Sequence, residues 1–184
     1  MKEPLDLPRL FPALDQIQDA DLRRSVTAVW QRLWSESAWD DVMTLPTSHD
    51  MPYPQIPHNR AIIDIALATA DALQTHHGLE VDRDVLIAAA ILQDASKLVE
   101  LQPGENGPPE ITEIGRLYPH PFWGAHVALE AGVPDAVTHI VFSHSPDSPR
   151  FPESLEGLIL YYADQLDVLA IHTHRWQKRL IIMK

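Results

Sequence analysis

Residues 88–97 read AAAILQDASK: an apolar helical run ends in the polar pair Gln93–Asp94, and Lys97 follows three residues later. An ordinary core has no use for an aspartate there, because a buried carboxylate is costly unless it is paired, hydrogen-bonded or bound to a cation. The chain supplies groups able to meet it. His58 comes before it, His120 and His144 come after it, and Asp164 lies inside an apolar stretch with Leu158, Ile159, Leu160, Tyr161, Leu166 and Leu169. Imidazole and carboxylate, in the absence of sulfur, are ligands expected of a first-row transition metal. These residues point to a metal site assembled from several helices with Asp94 at its centre. Asp94 can bridge two ions, with His58 and Asp164 on one side and His120 and His144 on the other. Two cations so held orient an oxyanion substrate, stabilise its developing charge and lower the pKa of a bridging water enough for attack at neutral pH.

Such residues meet only if helices bring them together. Asp19 or Asp21 can cap a helix running to about Ser37, with Val26, Val29, Trp30, Leu33 and Trp34 as its apolar stripe. Residues 1–18, punctuated by Pro4, Pro8 and Pro12, read as an extended arm with one short helical turn. Residues 40–57 read as loop, because Pro46, Pro52, Pro54 and Pro57 forbid a continuous helix, and they are placed to form a wall or lid of the pocket. His58 opens a helix that buries Ile62, Ile65, Ala66, Ala70 and Leu73 and stops at Gly78. Asp82 caps the helix that delivers Gln93 and Asp94. Residues 102–118 read as loop. His120-Pro121 opens a helix ended by Gly132, and the helix after it carries His144 at its end. The last helix starts near Ser154, holds Asp164 and Asp167, and runs to about Ile182. His49, His126 and His139 read as non-ligands, and His76, His77, His172 and His174 as helix-end residues.

There is no strand-like alternation longer than a few residues, so the fold class is all-α, in one domain of 184 residues: arm, helix and proline-rich loop over 1–55, a core over 56–170, and a helical tail over 171–184. The absence of cysteine excludes disulfides, thiolate ligands and a cysteine nucleophile, and is compatible with the cytoplasm. MKEPLDLPRLF does not read as a signal peptide, and no apolar run approaches the roughly 20 residues that span a bilayer. A net charge of −12 argues against a nucleic-acid partner but not against a small anion, since a bound cation dominates its local field. The Trp30/Trp34 helix and the C-terminal tail offer contact surfaces for a homodimer.

The ordered pattern resembles the HD superfamily of metal-dependent phosphohydrolases over about residues 56–170. It is carried by His58, Gln93-Asp94 with Ser96-Lys97, His120-Pro121 with Gly124-Ala125, His144 and Ala163-Asp164. The resemblance implies a compact helical bundle and metal ligands at His58, Asp94, His120, His144 and Asp164. It also implies that Lys97 meets a substrate oxyanion. The two middle histidines resemble the branch that includes dinuclear phosphodiesterases and dinuclear iron oxygenases. The chain departs at Gln93, where the family has histidine. Three outcomes are open: Gln93 ligates through its amide oxygen, it retreats behind the ligands with water in its place, or the first site is lost and one ion remains on Asp94, His120 and His144. The expectation is an enzyme that binds one or two divalent ions (Fe, Mn or Zn, with Mg also admitted) and hydrolyses a small anionic phosphate ester. Asp94 and Lys97 would be catalytic, and Lys97 and Arg60 would hold the anion. Its rivals are an iron oxygenase cleaving a C–C or C–P bond and a degenerate binding protein.

Overall fold

The computed structural model describes residues 2–105, 107–146 and 148–171. Helices dominate it: α1 (Leu7–Leu10), α2 (Ala20–Glu36), α3 (Gln55–His77), α4 (Arg83–Leu92), α5 (Lys97–Glu100), α6 (Glu113–Leu117), α7 (His120–Glu130), α8 (Asp135–Ser143) and α9 (Leu155–Ile171). Two small antiparallel pairs interrupt them, β1 (Pro46–Ser48) with β2 (Met51–Pro54) and β3 (Leu101–Gln102) with β4 (Glu110–Ile111). The architecture is the all-α one expected. The basic end of the expected tail, with His172 and His174, lies outside the described residues.

Helix α4 is the axis of the bundle. Residues 86–92 are all buried, and α2, α3, α8 and α9 pack around them. Ala88, Ala89 and Ala90 let those neighbours approach closely, since a methyl group is all that separates backbones there. Asp82 starts the helix by accepting the Val85 N–H, 3.1 Å. The indole N–H of Trp30, itself fully buried, donates to the Ile91 carbonyl at 3.0 Å, so the indole's polar atom is satisfied inside the core. Helix α3 ends at Gly78 in the left-handed region (φ 65°), as a C′ glycine should.

Three stretches are more ordered than their sequence suggested. Residues 7–17 form α1 and a 3-10 turn (Pro12–Gln16), each with its proline in the first turn, and they bury Leu7, Phe11, Leu14 and Ile17 in the same core as α4. The 4-3-3 spacing of those four residues is helical, and it prevails over the prolines because each proline sits where its missing N–H costs nothing. Residues 46–54 form a hairpin rather than open loop, with Pro46 opposite Pro54. A two-stranded ribbon has only edges, where prolines are tolerated. Residues 101–117 likewise hold the β3–β4 pair and α6. Helix α3 starts at Gln55, three residues earlier than expected, with Pro57 in its first turn. His58 therefore sits one turn into the helix, and Gln55 shares its face.

Candidate metal centre

The turn that leaves α4 places Asp94, 3 % exposed, at the meeting point of α3, α7, α8 and α9. Its two oxygens face different partners. Oδ2 lies 3.5 Å from His58 Nε2, which is also 3.4 Å from Asp164 Oδ1. Oδ1 lies 3.2 Å from His120 Nε2 and 3.6 Å from His144 Nε2. Two groups of three donors, His58/Asp94/Asp164 and Asp94/His120/His144, each have their ligand atoms within 4.8 Å of one another. Both groups contain Asp94, with His58 and Asp164 toward one of its oxygens and His120 and His144 toward the other.

All three histidines turn Nε2 inward because an acceptor lies behind each ring. His58 Nδ1 is 2.6 Å from Asp167 Oδ2, His144 Nδ1 donates to the Val141 carbonyl at 2.7 Å, and His120 Nδ1 is 3.6 Å from Glu100 Oε1. For His58 and His144 these are hydrogen bonds, the arrangement by which metal-binding imidazoles are held in one tautomer and orientation; Glu100 faces His120 from beyond hydrogen-bond length. The start of α7 is pinned in place by Ser96, whose hydroxyl donates to the His120 carbonyl at 2.7 Å. Gly124 allows that approach: a Cβ there would stand 3.2 Å from Ser96 Oγ and 3.3 Å from Val141 Cγ1.

Lys97 is where the sequence placed it. Its Nζ is 3.8 Å from Asp94 Oδ1 and donates to the Thr47 carbonyl of β1, so the proline-rich hairpin forms one wall of the site. Gln93 is fully buried, and neither Oε1 nor Nε2 has a hydrogen-bond partner among the described residues. Arg60 is the one expected site residue the fold takes elsewhere. Two residues past His58 it points to another side of α3, where its guanidinium donates to the carbonyls of Leu10 (2.7 Å) and Arg9 (2.9 Å). Arg60 ties down the N-terminal turns rather than an anion at Asp94. His126 and His139 stay away from the cluster, in an apolar groove of about 450 Å³ between α7 and α8.

Three contributors went unseen in the sequence. Gln55 donates from Nε2 to Asp94 Oδ2 at 2.9 Å, and Asn59, one turn on, accepts from the same nitrogen; both residues are fully buried. Glu100 stands behind His120. Gln55 follows Pro54 and reads as loop, and Glu100 belongs to a helix of a single turn. Asp167, on the last helix with Asp164, stands behind His58, its Oδ2 2.6 Å from the ring's Nδ1.

Four carboxylates in one place create a demand for positive charge. Burial opposes a proton on His58, but its hydrogen bonds to Asp164, Asp167 and Asp94 prevail and raise its pKa to about 11. His120 is also raised, against burial and Lys97, by Asp94 and Glu100. Burial pushes the Asp94 carboxyl up; Lys97, then His120, His144 and His58, bring it well below the usual carboxylate range. Glu100 is lowered too, against burial, by His120 and Lys97. Protons on imidazoles supply the charge that a bound cation would supply. The donor chemistry, the anchored rings of His58 and His144 and the unpartnered amide of Gln93 all suit divalent ions.

The family comparison agrees with this geometry. The HD domain family matches residues 56–169, and the chain belongs to that family. HD domains bind divalent metal ions, and the match supports a metal-dependent phosphohydrolase in general. A dihydroneopterin 2',3'-cyclic phosphate phosphodiesterase from Methanocaldococcus jannaschii is 29 % identical over 171 residues, covering 88 % of this chain and 68 % of the relative. No solved structure matches the chain. No described helix is long and apolar enough to cross a membrane.

Proposed function

We propose that this chain hydrolyses a small phosphate diester, with divalent ions held by His58, Asp94 and Asp164 on one side and by Asp94, His120 and His144 on the other. The observation that carries the reading is the pair of donor groups sharing Asp94 with the Lys97 ammonium 3.8 Å from the same carboxylate. Bound cations supply Lewis acidity and a lowered pKa for water. The chain's own residues do the rest. Asp94 and the anchored imidazoles fix where the cations sit. Lys97, braced against Thr47, presents an ammonium to a non-bridging phosphate oxygen, and the β1–β2 hairpin limits access to groups small enough to pass it. In the net reaction water adds to phosphorus, one ester P–O bond breaks, and the departing oxygen takes up the proton that water gives up. Gln93 adds an amide oxygen to the His58 side, a role supported by its buried, unpartnered Oε1. That side is then rich in oxygen and suited to Mn, Fe or Mg over Zn.

The relative's substrate directs the first assays toward 2',3'-cyclic phosphates of pterins and nucleosides. The test is turnover of these diesters by protein reconstituted with Mn²⁺ or Fe²⁺, before and after chelation. Turnover with redox-inert Mg²⁺ or Zn²⁺ would separate hydrolysis from iron-dependent oxygenation. Lys97→Ala should lower kcat/KM about 10–100-fold, the worth of one hydrogen bond to a charged group, and leave metal content unchanged. A protein that takes up no metal on reconstitution, with stability indifferent to chelator, would sink the reading.

A further inference from the structure

We propose that Gln55 is a cation ligand of the His58 side, with its carboxamide turned by Asn59 between a metal-free and a metal-bound orientation. This rests on the metal-site reading above and adds to it a donor that lies outside the family's ligand pattern.

The two amides are fully buried and one helical turn apart on α3; Gln55 bonds to the Asp94 carboxylate, and Asn59 to Gln55. As they stand, one Gln55 N–H donates to Asp94 Oδ2 and the other to Asn59 Oδ1. This leaves Gln55 Oε1 and Asn59 Nδ2 without partners among the described residues. Turning both amides over exchanges their ends. One donor and one acceptor would be left unpartnered just as before, so hydrogen bonding between the two amides holds the two orientations close in energy and a bound ion can choose between them. Asn59 Nδ2 then donates to Gln55 Oε1, and that oxygen takes the position 2.9 Å from Asp94 Oδ2. Two oxygens that close repel unless a cation lies between them. With a cation there, the spacing is the natural one: cation–oxygen bonds of about 2.1 Å at a right angle separate two oxygens by about 3 Å. The same amide thus donates its N–H to Asp94 Oδ2 when no ion is bound and would turn its oxygen to the ion when one is.

The position also makes chemical sense of Gln93. Replacing an imidazole by an amide weakens the His58 side, and a second neutral oxygen from α3 compensates. Gln55 is placed to do this because α3 begins at residue 55, so its first turn aligns Gln55 with His58 on the face toward Asp94.

The experiment is a titration of the full-length chain with Mn²⁺, following the free-ion electron paramagnetic resonance signal, for the wild type, Gln55→Met, Gln55→Glu and Asp94→Asn. Methionine keeps the length and bulk of the side chain without the oxygen, and glutamate offers an anionic oxygen in the same place. The expected result is that Gln55→Met weakens one bound Mn²⁺ by at least about tenfold, while Gln55→Glu tightens it by a similar factor. Asp94→Asn should lose Mn²⁺ from the cluster altogether. If Asp94→Asn loses Mn²⁺ but both Gln55 variants bind it as the wild type does, the Gln55 proposal alone is overturned. If Asp94→Asn also binds as the wild type, the metal-site reading fails and the proposal with it. Should Gln55→Met fail to fold by circular dichroism, Gln55→Glu decides by itself, and an unchanged affinity overturns the proposal.

Discussion

The two sides of Asp94 are built from different chemistry. Around Oδ2 stand one imidazole, a second carboxylate and the amide of Gln55, with Asp167 behind the ring, all of them carried by α3 and α9. Around Oδ1 stand two imidazoles and the Lys97 ammonium, and this side lies toward the β1–β2 hairpin; His120, 16 % exposed against 3 % for His58, makes it the more open of the two, although His144 is 2 % exposed and Asp164 and Asp167, at 10 % and 12 %, match the 12 % of Lys97. A cation on the enclosed side has its charge largely cancelled by carboxylates. A cation on the open side, held mainly by neutral rings, keeps more of its charge and sits where an anion can reach it. On the proposed function the contrast would assign different work to the two sides: a cation on the enclosed one would anchor Asp94, and one on the open side, next to Lys97, would meet the substrate.

The most destructive way to test that contrast is to remove what the sides share. Asp94→Asn should abolish loading of both and cut kcat/KM by about a thousandfold or more, a loss of about 4 kcal/mol in transition-state stabilisation. Elemental analysis per chain checks the first outcome, and steady-state assay the second. Loss of only one ion would mean that the sides are held independently and that Asp94 does not bridge.

The next step separates the sides by the groups behind the rings. Asp167→Asn removes the carboxylate behind His58, and Glu100→Gln the one behind His120. Each should weaken its own ion by about 10–100-fold and leave the other within a few-fold, as measured by competition with a chelating dye. Equal effects of either variant on both ions would erase the distinction between an enclosed and an open side. Of the two, Asp167→Asn should be the larger, because its oxygen is 2.6 Å from Nδ1 whereas that of Glu100 is 3.6 Å away.

What the sequence showed of this arrangement follows a physical line. His120, His144 and Asp164 stood out because polar groups at the ends or in the middle of apolar helices break a pattern set by burial, and Asp94 stood out for the same reason. Gln55 and Asn59 did not, because amides near a proline-marked helix start are ordinary there, and only the true start of α3 puts Gln55 on the face of His58. Arg60 was misjudged on nearness in sequence; a separation of two residues turns about 200° around a helix and sends it to the N-terminal turns. The hairpins were unreadable because strands of two to four residues carry no alternation. Fold class depended on long apolar periodicities and was legible. The outer partners of the site depend on helix phase, which a shift of three residues changes.

The remaining test reads the enclosed side through its protons. In the unloaded protein His58 has its pKa raised to about 11, compared with about 6.5 in an unfolded chain. Its contribution to stability is therefore fully present below about pH 6.5 and is lost as pH rises toward 11. A cation needs the neutral ring and must displace that proton, so affinity on this side should rise by up to about tenfold per pH unit across the same range. These are two views of one proton, and it widens the gap between loaded and unloaded protein as pH rises. With the ion in fixed excess, the Mn²⁺-induced increase in Tm should grow by about 5 °C between pH 6 and pH 8. Asp167→Asn, which removes one of the three carboxylates holding the His58 proton, should flatten that growth, and Glu100→Gln should leave it nearly intact. A Tm increase that does not vary with pH in the wild type would mean that the enclosed side does not bind through His58, and the division of labour across Asp94 would have to be redrawn around the open side alone.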